Sequence, residues 1–216
     1  MAEMGTARTM VEKANKSGRK EMDDIVKQNV TAALSSNKEM VPVVSFVGYS
    51  GMGKTTLLEQ VIGELKQLGY RVAVVKHAPH GFALDHPGKD SWRLNQAGSD
   101  IVVLSSPERV SLVEHVDEEL TLSQIEALIR DNVDIVLVEG YKKDPNSTKV
   151  MVLGSEEGQP TLGGEEGVLA TISARSSPPG MSQFDYNDVT KIVGLLIERI
   201  GENSTRKSKN VSAAAD

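Results

Sequence analysis

Residues 48–56 read Gly48-Tyr49-Ser50-Gly51-Met52-Gly53-Lys54-Thr55-Thr56 and fit the spacing G-x-x-x-x-G-K-[ST] at every specified position, with Gly51 as a third glycine. Each residue type has a chemical use. Glycines let the backbone turn its N–H groups inward, so that successive amides surround a phosphate chain without Cβ atoms in the way. Lys54 brings a positive charge to the outer phosphates, and Thr55 offers a hydroxyl to magnesium. A helix beginning here adds the partial positive charge of its N-terminus. A second site for chemistry is Asp134-Ile135-Val136-Leu137-Val138-Glu139-Gly140, four apolar residues and then an acid. A buried parallel strand of that kind delivers the Glu139 carboxylate to the sheet end, where it can bind magnesium directly or through water.

The densest polar stretch runs from Lys76 to Arg93 and holds His77, His80 and His86, Asp85 and Asp90, Lys89 and the single tryptophan, Trp92. It is too long for a mere connector. Beside a triphosphate it could supply a carboxylate to magnesium, a cation to the γ-phosphate and a ring for a flat ligand. The three histidines read either as a transition-metal cluster or as hydrogen-bond donors to phosphate. Tyr141-Lys142-Lys143-Asp144 has the Lys-x-Asp tail with which many GTPases read guanine, but its first residue does not fit; an ordinary charged loop is the competing reading.

These groups need positioning elements. A β-branched run from Val43 leads into the glycine turn; Leu57, Leu58, Val61, Ile62, Leu65 and Leu68 then share a helical face closed by Gly69, and Arg71 to Val75 is a second strand. This is a βαβ unit with parallel, buried strands, and ligands of such sheets sit at the strands' carboxyl ends. A short helix from Ser91 to Ala97, a third strand from Ile101 to Leu104, and an edge strand over Val110 to Val116 follow. Thr121 to Arg130 is a helix with Leu122, Ile125, Leu128 and Ile129 on one face. Thr148 to Leu153 and Val168 to Ile172 are further strands, joined by a glycine- and glutamate-rich segment that should be flexible and solvated. Pro178-Pro179-Gly180 breaks the chain. A last amphipathic helix from Asp188 ends at Gly201.

The 216 residues are most economically one domain, 41–202, with a leader, 1–40, that holds at most one amphipathic helix and a disordered tail, 203–216. There is no cysteine, which excludes disulfides, thiolate metal sites and cysteine nucleophiles and suits a reducing cytoplasm. With a formal charge of -6 the chain is not built to bind nucleic acid, so phosphate recognition must be local. No apolar stretch is long enough to span a membrane, and the N-terminus lacks the apolar core of a secretion signal.

The glycine turn, Val74-Val75-Lys76-His77, Asp85-x-Pro87-Gly88-Lys89-Asp90-Ser91-Trp92-Arg93 and Val136-Leu137-Val138-Glu139-Gly140-Tyr141-Lys142 together resemble the MobB family, the molybdopterin-guanine dinucleotide biosynthesis adaptor proteins. The resemblance covers about residues 41–172. It implies a three-layer α/β P-loop NTPase with a mostly parallel central sheet plus an antiparallel edge or extension. It also implies a homodimer that binds GTP and Mg2+, hydrolyses GTP slowly at best, and assists the nucleotidyltransferase MobA in joining GMP to molybdopterin. Carried over residue by residue, the cradle from Gly48 to Thr56 holds the phosphates, Lys54 bridges the outer ones, and Thr55 and Glu139 serve magnesium, with Asp85 as a further carboxylate for it. Asp85 or Asp90 is a switch-like partner to the γ-phosphate. Lys89 and Arg93 hold phosphates of GTP or molybdopterin, while Trp92 stacks on a pterin or packs beneath its loop. No residue stands out as a water-activating base, in keeping with slow hydrolysis. Pro79 departs from the polar residue usual there. A P-loop small-molecule kinase and a metallochaperone-type GTPase are the alternative readings.

Overall fold

The computed structural model describes residues 41–83, 85–145, 147–153, 167–173 and 182–213, with side chains to Gly201. The expectations for the leader, for residues 154–166 and for Pro178 to Gly180 lie outside them. The apolar run Val43–Val47 forms strand β1, the glycine turn follows, and helix α1 occupies Lys54–Gln67. Its end is set by sequence. Gly69, at φ 87°, gives the reversal that side chains resist. The amide of Tyr70 then reaches the Leu65 carbonyl at 3.0 Å, and that of Gly69 the Lys66 carbonyl at 3.1 Å, the pairing of a Schellman close.

Strand β2 is Val72–Lys76, helix α2 Asp90–Gln96, and strands β3 and β4 are Ile101–Ser105 and Val110–Glu114. Helix α3, Leu122–Ile129, runs into a short 3-10 turn, Arg130–Asn132. Strands β5 (Ile135–Glu139), β6 (Thr148–Val152), β7 (Val168–Ile172) and β8 (Ser182–Phe184) precede helix α4, Val189–Ala213. Two compact units result: one spans Ala78–Thr121, and the other comprises the described residues up to His77 and from Leu122 onward.

In the larger unit six parallel strands run in the order β2-β5-β1-β6-β7-β8. The two faces of β5 show why there are three layers. Ile135 and Leu137 pack with Phe46, Leu65 and Leu196, from β1, α1 and α4. Val136 and Val138 point the other way and meet Leu122 and Ile129 of α3. A strand covered on both faces reads as a continuous apolar run. Each fully buried Leu or Ile contributes about 1.5–3 kcal/mol from water exclusion.

The strands joined by α1 are parallel in one sheet as expected, with β5 inserted between them. The expected antiparallel extension is the two-stranded sheet of β3 and β4, in the smaller unit. Other expectations are corrected. β2 is the edge of the central sheet rather than a buried strand, with Val74 50% exposed. Leu128 of α3 is 51% exposed, whereas Glu126 is buried, its carboxylate accepting the Val41 amide at 3.1 Å and lying 3.9 Å from Arg130. Burial raises the pKa of Glu126, opposed by the Val41 amide and Arg130. Strand β8 carries no periodic signal and was not expected. Finally, α4 continues past Gly201 to Ala213.

Candidate functional site

The cradle follows from how β1 must turn. A Cβ on Gly48 would lie 2.4 Å from the carbonyl oxygen of Val152, at the end of β6, so only glycine lets the two strand ends meet. Gly51 and Gly53 take φ values of 80° and 73°, in the left-handed region. Gly53 precedes α1 without a side-chain cap, and the first turn has no acidic residue. The first amides of a helix lack intrahelical acceptors, which suits an incoming anion. Ser50, Gly51 and Thr56 are exposed, and Met52 packs into the core beneath.

Lys54 donates to the Tyr49 carbonyl at 2.6 Å, so its ammonium is folded onto the cradle's own backbone. Burial lowers its pKa; Glu139 acts in the opposite direction, and Lys142 and Lys76 add to the lowering. Thr55 Oγ1 donates to Glu139 Oε2 at 3.0 Å, and Lys76 Nζ lies 3.3 Å from the same oxygen. The parallel register places Lys76 opposite Glu139 and Phe46 beside it, so three strand ends converge. The glycine turn and the strand-end acid, 84 residues apart in sequence, are thus one site. A hydroxyl and a carboxylate are hard oxygen donors of the kind that suits Mg2+, which completes its shell with water and phosphate.

Beyond Glu139 the chain turns sharply. Gly140 has φ 112°, and a Cβ there would lie 2.7 Å from His77 Cβ. Tyr141 takes φ 47°, a strained value for a bulky residue, and its ring lies 4.5 Å from the His77 imidazole. Lys142 Nζ stands 5.9 Å from the centre of the Tyr49 ring. His77 is therefore a packed residue at the strand end, its amide bonded to the Glu139 carbonyl at 2.9 Å. Asp144 holds the Ser147 amide at 3.0 Å, a turn-forming role.

The remaining candidates lie in the smaller unit. Asp85 accepts from the Ser91 hydroxyl and, at 2.7 Å, from the His86 amide. Those contacts, Ser91 foremost, hold its carboxyl below the usual range, and Lys89 adds to the effect. Asp90 and Arg93 form an exposed pair at 3.5 Å on the first turn of α2, with Lys89 just before it. Among the described residues, no group of three or more His, Asp or Glu could hold a metal.

Two participants were given no role by the sequence. Tyr186, just before α4, sets its hydroxyl 3.0 Å from both the Met52 and Leu153 carbonyls, tying the cradle to the end of β6. Burial raises its pKa. Lys76 is the other: that strand end carries a charge, but only the sheet order brings it to Glu139.

The profile of the family described as Molybdopterin guanine dinucleotide synthesis protein B, MobB, matches residues 43–174. The molybdopterin-guanine dinucleotide biosynthesis adapter protein of Haemophilus influenzae is 35% identical over 72% of this chain and 88% of its own length. The protein of that description from Escherichia coli is 31% identical over 76% of this chain and 95% of its own. The crystal structure of Bacillus subtilis MobB superposes with a TM-score of 0.60 at 27% identity, covering 73% of this chain and 97% of that one. Profile, relatives and fold thus agree across the cradle, the strand-end acid and the loop between them, and the chain belongs to the MobB family.

Proposed function

We propose that this protein is a GTP-binding adapter in molybdenum cofactor biosynthesis, which assists a MobA-type nucleotidyltransferase in attaching the guanine nucleotide to molybdopterin. The observation that carries this reading is the contact of Thr55 with Glu139 at the mouth of the glycine cradle, the pair that a magnesium-bound phosphate chain requires. The relatives' names supply the pathway. The cradle from Gly48 to Thr56 holds the phosphates; Thr55 and Glu139 hold Mg2+. Hydrolysis is slow: among the described residues none stands out as a water-activating base, and positioning of the attacking water supplies much of the rate in phosphoryl transfer. For Lys89 and Arg93 we propose binding to phosphate groups of GTP or of molybdopterin, and for Asp85 or Asp90 a switch-like response to nucleotide, roles that rest on the family resemblance.

The protein works as a cytoplasmic homodimer. In its favour, β3 and β4 form a two-stranded sheet, marginal by itself, that leaves Val103, Val110 and Leu112 exposed. Sedimentation should give twice the monomer mass. The functional test is reconstitution of the guanylated cofactor from molybdopterin, Mg2+ and GTP with the transferase, with and without this protein. Wild type should raise the yield and Lys54→Ala should not; equal yields in all three would remove the adapter reading.

A further inference from the structure

The larger unit holds three lysines, Lys54, Lys76 and Lys142, at the glycine turn and the strand end beside it, and the reading of this site as a magnesium-nucleotide site accounts only for Lys54. Their placements differ. Lys54 is bonded to the Tyr49 carbonyl, and Lys142 stands over the Tyr49 ring. Lys76 alone forms a described ion pair with Glu139, and on Oε2, the oxygen that also accepts the Thr55 hydroxyl. The Glu139 side chain is only 16% exposed, whereas that of Lys76 is 63% exposed. A partly buried carboxylate needs a compensating cation, and the partner here is a long side chain with room to swing. An ion pair so open adds little to stability, so packing gives no sufficient reason for it.

Resting on that magnesium-nucleotide reading, we propose that Lys76 is a displaceable stand-in for the metal. In the nucleotide-free protein its ammonium occupies the side of Glu139 that Mg2+ takes; when the metal arrives, Lys76 swings to the phosphate chain. A dication and an ammonium cannot share one carboxylate oxygen without strong repulsion, so the two cations alternate there. The Glu139 carboxylate keeps a cationic partner before metal enters, and a second lysine becomes available to the triphosphate only after metal has entered. Lys76 is thus a positioning residue that couples metal entry to the grip on phosphate.

The test measures GTP binding to the full chain over a range of Mg2+ concentrations, with Mn2+ in place of Mg2+ so that bound metal is counted directly by electron paramagnetic resonance. Lys76→Met should lower the half-saturating metal concentration about threefold to tenfold, the effect of one unit charge at a surface site, and should weaken GTP at saturating metal by about as much. Lys76→Arg, which keeps the charge, should stay within about twofold of wild type, and so should the metal midpoint of Lys142→Met, which loses the same charge without touching Glu139. A metal midpoint unmoved or raised in Lys76→Met, or lowered as far in Lys142→Met, overturns the proposal while leaving the nucleotide site standing. Failure of wild type to bind GTP at any metal concentration overturns both.

Discussion

Lys54 can be tested alone because its ammonium sits on a backbone carbonyl rather than in the core. Lys54→Ala should leave the fold intact and weaken triphosphate binding by about 1.5–3 kcal/mol, the worth of a hydrogen bond to a charged group. Calorimetry checks this, and unchanged affinity would remove the cradle assignment. Asp134 allows a test of pH dependence. Arg71 bonds it through the guanidinium at 2.7 Å and the backbone amide at 2.7 Å, and the side-chain contact lowers its pKa. A depressed carboxyl stabilises the fold above its unfolded pKa, about 3.9, and that stability is lost as pH falls through the lower folded value. Asp134→Asn should therefore unfold at lower temperature than wild type at pH 7, with the gap closing in acid. A gap that widens in acid would contradict the stabilising role of the Arg71–Asp134 contacts. The glycine turn opening onto a helix at Gly53, Lys54 and Thr55 was legible in the sequence, because its spacing is local. Lys76 and Tyr186 were not, since their partners come from strands ordered only in three dimensions.

Among the elements, the glycine turn and the end of β6 have the least room for change. Gly48→Ala forces a Cβ to within 2.4 Å of the Val152 carbonyl, a backbone atom that cannot swing away. It should cost about 1–3 kcal/mol as overpacking, read by denaturant unfolding, and should loosen nucleotide binding as well. Tyr186→Phe removes the hydroxyl between the Met52 and Leu153 carbonyls. The expected loss is about 1 kcal/mol of stability together with faster nucleotide release in a stopped-flow chase; unchanged release would show that the turn holds its shape without this tie. Helix α1 was legible to its last turn because Leu57, Leu58, Val61, Leu65 and Gly69 are local signals, but Leu68, expected on the same face, is 56% exposed. Helix α3 was half legible: its apolar positions suggested Leu128 inside, but Glu126 is the buried one, held by the Val41 amide. Strand β8, three residues long, had too few side chains to show any period.

For the molecule as a whole, the class of fold was legible and the order of its strands was not. Two buried runs, Val43–Val47 and Ile135–Glu139, announce a parallel sheet with helices on both faces, but nothing in either says that β5 inserts between β1 and β2. That insertion unites the site, because it puts Glu139 between the glycine turn and Lys76. Separation of β3 and β4 into their own sheet was equally hidden, since an alternating strand looks alike at the edge of a large sheet or in a small one. The central claim is that this united site holds a guanine triphosphate with magnesium. Titration of the full chain with GTP and with ATP, each with Mg2+, tests it most directly. GTP should bind in a metal-dependent manner and at least about tenfold tighter than ATP, a difference of about 1.4 kcal/mol. Equal or reversed preference, or binding that survives removal of the metal unchanged, would contradict it.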